Sequence, residues 1–201
     1  FPGPAPCPLC QARPRPAMGA STSCCSGPAQ IREELDEAFV VYLQREQGKI
    51  IGLDLDVTDG RTARVLEVLP QGTAYSSGAK VQAGDHIVAV NGAKDSIGIT
   101  KRLQQDDQLE LLVHRPKEFR ISITKAEEGL GIEFTHATNG NSLLIRGILK
   151  KGAIQEWNAT HESSLVRNDD RIVEVNGVRG GWEKLLEAMK KESHLKLVIA
   201  P

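Results

Sequence analysis

The sequence predicts an α+β fold, mainly β, laid down twice in tandem. Three observations carry this prediction. Two successive halves repeat one order of short apolar runs, and the apolar residues recur with the period-two spacing of half-buried strands. Asn-Gly follows such a run at Asn91-Gly92 and again at Asn176-Gly177, and this dipeptide tolerates positive φ at both central positions of a tight turn. The length of 201 residues leaves room for two compact modules.

The elements follow in order. Residues 1–30 are crowded with Pro, Gly, Ala and Ser, and their only large aliphatic or aromatic side chains are Phe1, Leu9 and Met18. Such a stretch buries too little apolar surface to be expected to order, and 1–37 is read as a disordered N-terminal segment. Within it, Ile31 and Leu35 lie one helical turn apart in a charged run, which suits a short amphipathic helix over 31–37. The first half then opens with Ala-Phe-Val-Val-Tyr-Leu-Gln-Arg (38–45) and the second with Glu-Phe-Arg-Ile-Ser-Ile-Thr-Lys (118–125), each a strand ending in a cation. Next come Ile-Ile-Gly-Leu-Asp-Leu (50–55) and Gly-Leu-Gly-Ile-Glu-Phe (129–134), a loop running into an alternating strand.

Residues 65–74 match 145–154, with turn glycines at Gly72 and Gly152. Gly-Asp-His-Ile-Val-Ala-Val-Asn-Gly (84–92) parallels Asp-Asp-Arg-Ile-Val-Glu-Val-Asn-Gly (169–177), the strongest echo of all. Each half ends with a helix-like stretch and a last strand, 109–113 or 195–199. Pro116 leaves almost no spare linker, so the two modules are expected to touch or constrain one another.

Composition narrows the function classes. Lys and Arg number 25 against 26 Asp and Glu, without a basic stripe, so nucleic acid is not an expected partner. No run approaches the ~18 apolar residues of a membrane-spanning helix, and the first residues lack the apolar core of a secretory signal. All four cysteines, Cys7, Cys10, Cys24 and Cys25, fall in the first 25 residues, which argues against a disulfide-stapled fold. The expected compartment is the cytoplasm.

The order strand, glycine loop, strand, strand, short helix, Gly-Asp-x-Ile-x-x-Val-Asn-Gly strand, helix, strand resembles a PDZ domain in each half, over 38–115 and 117–200. Gly-Leu-Gly-Ile (129–132) is similar to the family's Gly-Leu-Gly-Phe carboxylate loop, and Gly72-x-Ala74 followed by Gly84-Asp85 and Asn91-Gly92 matches its other common signature. The resemblance implies two partly open β-barrels or sandwiches, each capped by two helices. Two departures stand out. Ile50 replaces the loop's opening glycine in the first half, and Asp169 replaces the glycine before Asp170 in the second, which also carries an insertion around 157–164.

The resemblance implies capture of short peptides, chiefly protein C-termini but also internal segments, by β-strand addition to the unpaired edge of the second strand of each half. Affinity would come mainly from backbone hydrogen bonds. The terminal carboxylate would meet the amides of Ile51, Gly52 and Leu53, or of Leu130, Gly131 and Ile132, because consecutive amides of a glycine loop converge on an anion. Leu53 and Leu55, or Ile132 and Phe134, would line the pocket floor. Arg45 and Lys125 stand where the family places a cation supporting the carboxylate, a salt-sensitive contribution. Trp182, one heptad before Met189, and Leu186, one turn after Trp182, would wall the second groove. Ser96, Ile97, Gly98 and Thr100 leave the first groove's preference unreadable. Blander roles stand beside these: glycines as mere turns, the aliphatics as core, Trp182 as a core cap, and Asp85 and Asp170 as turn stabilisers.

Met18-Gly19-Ala20-Ser21-Thr22-Ser23 matches the myristoylation pattern, with Cys24 and Cys25 next as palmitate acceptors, on condition that translation starts at Met18 or the chain is cut there. Two lipids would anchor stably where one would not. A chance match in a small-residue linker is the competing reading, and zinc held by Cys7, Cys10, Cys24 and Cys25 is disfavoured by the adjacent pair. No cofactor or small-molecule substrate is expected. The sequence holds no Gly-x-Ser-x-Gly, no His-Glu-x-x-His and no phosphate loop, and its five histidines, His86, His114, His136, His161 and His194, are dispersed. A scaffold is therefore expected rather than an enzyme or an enzyme's regulatory fragment. Membrane stacking is the other alternative, since the Golgi stacking family also joins a myristoylated glycine to two PDZ-like domains, although in permuted strand order.

Overall fold

The computed structural model describes residues 38–125 and 127–201. The readings made for 1–37, including the short helix and the lipidation residues Gly19, Cys24 and Cys25, lie outside the described residues.

The first half runs β1 (Ala38–Gln44), β2 (Leu53–Asp56), β3 (Ala63–Val68), α1 (Thr73–Ser76), β4 (His86–Val90), α2 (Ser96–Gln105) and β5 (Gln108–His114). The second repeats it with β6 (Phe119–Thr124), β7 (Ile132–Thr135), β8 (Leu143–Ile148), α3 (Ala153–Thr160), a 3-10 turn (Glu162–Ser164), β9 (Arg171–Val175), α4 (Trp182–Lys191) and β10 (His194–Ala200). Each half is an antiparallel five-stranded sheet, ordered β1-β5-β4-β3-β2 and β6-β10-β9-β8-β7. β2 and β7 are thus sheet edges.

Alternation decides which side of each strand is inside. Val41 and Leu43 of β1 are buried while Val40 and Tyr42 face out, and Leu195 and Leu197 of β10 do the same against exposed His194 and Lys196. Ile87, Ile99 and Leu111 centre the first core, and Ile145, Ile172, Leu185 and Leu197 the second. Asn91 and Asn176 hold φ of 47° and 51°, followed by left-handed Gly92 and Gly177, so both Asn-Gly pairs form the expected reversals. α2 starts at an Asp95 side chain that accepts the Gly98 amide at 2.9 Å.

Asp169 and the insertion of the second half are absorbed locally. Asp169 adopts φ 73° at the position of Gly84 (φ 97°), held by ion pairs from Arg61 and Arg146. The inserted segment folds onto itself: Trp157 stacks on His161 with ring centroids 3.5 Å apart and donates to the Ser164 carbonyl, while Asn158 bonds both backbone groups of Val166.

The halves meet through a buried polar contact. The Asp56 carboxylate at the end of β2 accepts from Arg171 at the start of β9 at 2.6 Å, and the two side chains are 0% and 1% exposed. Around this pair Arg64 donates to Asn141, Arg146 to the Thr58 carbonyl and Arg61 to Asp169, each crossing from one half to the other. Burial drives the Arg64 guanidinium down to about 10 and, with the charges of Arg171 and Arg64, pushes the neighbouring His86 imidazole down to about 3. His86 is therefore neutral, its Nδ1 lying 3.1 Å from Thr62 Oγ1.

Candidate functional site

Both glycine loops are held by their carbonyls. In the first half Thr73 N–H donates to Ile50, Ala74 N–H to Ile51 and Leu69 N–H to Gly52, at 2.9, 3.0 and 2.8 Å. In the second, Ala153, Ile154 and Leu149 donate to Gly129, Leu130 and Gly131 at 3.2, 3.1 and 2.8 Å. Two of each trio are the orphan amides at the start of α1 or α3. Because a trans peptide points its N–H opposite to its C=O, these bonds turn the next amides away from the helix. Those amides belong to Ile51, Gly52 and Leu53, and to Leu130, Gly131 and Ile132. Among the described residues, no backbone carbonyl accepts from Ile51, Gly52, Leu130 or Gly131.

The register gives the strand edges the same polarity. Gly52 accepts from Leu69, so the adjacent pair Leu53↔Val68 is the non-hydrogen-bonded kind, and the N–H and C=O of Leu53 face the open side. Gly131 accepting from Leu149 sets Ile132↔Ile148 likewise. Each loop thus passes into an edge strand whose first residue presents donor and acceptor outward.

Glycine is required here for two reasons. Gly52 and Gly131 sit at φ 77° and 69°, and a methyl group on either would strike backbone, that of Gly72 for Gly52 and that of Lys151 and Gly152 for Gly131. The Ile50 carbonyl is held as Gly129's is, although of the two only Gly129 takes a positive φ, 76°.

Most of the side chains predicted for the loops, floor and wall pack on the two cores. Ile51 is buried, Leu53 and Leu55 pack on the first core, and Leu130, Ile132 and Leu186 on the second. Phe134 stands outside this packing and is exposed. Arg45 is engaged elsewhere than expected. Its guanidinium donates to the carbonyls of Leu103 and Asp106 at the C-terminal end of α2, where a cation complements the helix dipole. Lys125 is half-buried, and its amide donates to Ser193.

Trp182 begins α4, but its indole does not lie open along the groove. It stacks on His136, just beyond β7, and donates to the Thr138 carbonyl. In the first half the corresponding space is a groove of about 330 Å³ between Val57, just beyond β2, and Ser96, Ile97, Thr100, Lys101 and Gln104 of α2. Another cleft, of about 570 Å³, is lined by residues including Tyr42, Gln44, Asn91 and Gln108, none of them from a glycine loop or from β2. Sequence reasoning missed His136 and Val57. The signal was positional, since each is the residue after the loop-borne strand.

Among the described residues there is no group of three or more His, Cys, Asp or Glu placed to hold a metal, and no helix long and apolar enough to cross a membrane.

No protein-family model matches the chain. An InaD-like protein from Canis lupus familiaris is 30% identical over 147 residues, which is 63% of this chain and 8% of the relative. The chain therefore spans a small part of that protein's length. Among solved structures it is similar to INAD PDZ45 in complex with NORPA CC-PBM, at 17% identity and a TM-score of 0.36, covering 82% of this chain and 91% of the other. INAD PDZ45 in complex with NG2 peptide gives 17% identity and a TM-score of 0.35, covering 82% and 89%. In each half a glycine loop leads into an edge strand and the longer helix follows the Asn-Gly turn, the order in which the sequence resembles a PDZ domain.

Proposed function

We propose that this chain is a tandem protein-interaction scaffold whose halves capture extended peptides by strand addition, a peptide lying antiparallel along β2 or β7 with its C-terminus at the glycine loop. The supporting observation is the orientation of six amides. In each loop three consecutive carbonyls are tied to the body of the domain, and their peptide planes send three N–H groups to the groove side, where a carboxylate would take them up.

Ile51, Gly52 and Leu53, with Leu130, Gly131 and Ile132, supply these donors. Leu53, Leu55, Ile132 and Leu186 form an apolar floor suited to an aliphatic last residue. Lys125 remains the candidate for supporting the carboxylate in the second half; Arg45 would act on its loop only indirectly, by fixing the end of α2. The partners are protein C-termini and short internal peptides. The reading is of a binding module in the cytoplasm rather than an enzyme, and tethering to a membrane through Gly19, Cys24 and Cys25 rests on the sequence motif alone.

The test is a screen of a randomised peptide pool with free C-termini against the full chain. Peptides ending in an apolar residue are expected to dominate. Amidating the carboxylate is expected to weaken binding about tenfold or more, the scale of losing a charge-assisted hydrogen bond. Methylating the peptide nitrogen that pairs with the strand should weaken it similarly. Indifference to both changes would refute strand addition at the loop.

A further inference from the structure

Among the described residues, a pair of rings bridges the second groove and none bridges the first. β7 and α4 form the walls of the second groove, and His136 and Trp182 reach across from them to stack with ring centroids 3.7 Å apart and planes 14° from parallel. This is van der Waals spacing, leaving no room for a peptide backbone between the rings. Trp182 is anchored further: its amide donates to the Gly140 carbonyl at 3.1 Å and its indole N–H to Thr138 at 3.2 Å. The helix wall is thus fastened to the loop after β7. In the first half, the residue after β2 is Val57, α2 begins with Ser96, and the space between is the open groove of about 330 Å³.

Position turns this difference into a selectivity. The stack lies at the far end of β7 from Gly131, and the four residues of β7 extend about 13 Å at roughly 3.3 Å each. A chain whose C-terminus sits at the loop therefore pairs over about four residues before reaching the rings. Longer chains must turn outward there or part the stack.

We propose that the His136–Trp182 pair sets ligand length, limiting the second groove to about the last four residues of a partner, whereas the first groove lets an extended chain run through past Val57. This rests on the strand-addition reading and makes the grooves unequal. The second would read short free C-termini, and the first would also accept longer or internal segments.

The experiment uses the full chain and two fluorescent probe pools with free C-termini ending in valine, one of four residues and one of ten in unstructured sequence. Binding is followed by amide chemical shifts at Ile132 for the second groove and at Leu53 for the first. In the wild-type chain the ten-residue pool is expected to bind the second groove no better than the four-residue pool. In Trp182→Ala and in His136→Ala the ratio of ten-residue to four-residue affinity there is expected to rise about tenfold, whatever either change does to four-residue binding itself; Trp182→Phe, which keeps a stack, should keep the wild-type ratio. Amide shifts elsewhere in β7 and α4 report whether each variant is folded. Equal length dependence in wild type and both alanine variants would overturn the length-setting role. A four-residue pool that leaves Ile132 unmoved in every protein would instead sink strand addition in this groove, and the length-setting role with it.

Discussion

Asp56→Ala is expected to cost about 3–5 kcal/mol of folding stability, the range for removing one partner of a buried ion pair. Arg171 is among the largest fully buried side chains, and its Nε and Nη2 already lack a hydrogen-bond partner in the described structure, as does Nε of neighbouring Arg64. Asp56 is the carboxylate that Arg171 meets. Without it, buried guanidiniums face each other uncompensated, and the contact between the halves should open rather than hold them. Asp56→Asn separates charge from hydrogen bonding, because its carbonyl can still accept the Thr58 amide that Asp56 accepts at 2.9 Å. Replacing both partners, as Asp56→Leu with Arg171→Met, is expected to cost far less than Asp56→Ala, since no orphan charge remains. Urea unfolding of the three variants checks this. A cost below about 1 kcal/mol for Asp56→Ala would mean that the pair behaves as a solvent-exposed one.

The same cluster fixes a pH dependence. Burial works to raise the Asp56 carboxyl, but the Thr58 hydrogen bonds and the Arg171 charge outweigh it and hold the group below its usual range. Burial and the two arginines depress His86 to about 3. Both folded values lie below the unfolded ones, about 3.9 for Asp and 6.5 for His. Their contributions are therefore complete above those values and fall away as the solution is acidified, beginning near pH 6.5 with His86. His86→Gln should flatten the dependence of the thermal midpoint on pH between about 6.5 and 4; an unchanged slope would contradict a buried neutral imidazole.

Gly52→Ala and Gly131→Ala carry the second large effect. A left-handed backbone costs an L-residue about 1–2 kcal/mol, and forcing a methyl into packed backbone adds roughly 1–3 kcal/mol. Gly92, at φ 81°, has nothing within 4 Å of an added Cβ, so Gly92→Ala bears only the conformational part. The difference between Gly52→Ala and Gly92→Ala in thermal unfolding isolates the collision with Gly72 and should exceed about 1 kcal/mol. Equal costs would mean that the loop and the turn at Gly72 are not locked together.

What was legible in the sequence is what is local. Period-two alternation marked β1, β4, β9 and β10, and Asn91-Gly92 and Asn176-Gly177 marked their turns, because both signals depend on neighbours in the chain. The loop residues were reached through the resemblance of Gly-Leu-Gly-Ile to a known carboxylate loop, not through a local rule of this kind. Counting back from Met189 located the start of α4 at Trp182. Nothing local announced that the indole would meet His136, that Arg45 would cap α2, or that Asp56 would pair with Arg171. Each of those contacts joins residues far apart in sequence, and which of several available cations or rings is met depends on how elements pack. The Asp56–Arg171 pair was hidden further by its placement between halves. The sequence's short linker predicted contact between them, but not which faces would meet.

The most direct test of strand addition is amide hydrogen exchange at Leu53 and Ile132 in the full chain, with and without a saturating peptide selected from the pool. Their N–H groups face the open edges, so exchange is expected to slow at least tenfold on binding, while Leu111 and Leu197, on strands paired on both sides, stay as they were. Slowed binding-site side-chain motion with no added protection at either edge amide would place the peptide elsewhere and contradict the account.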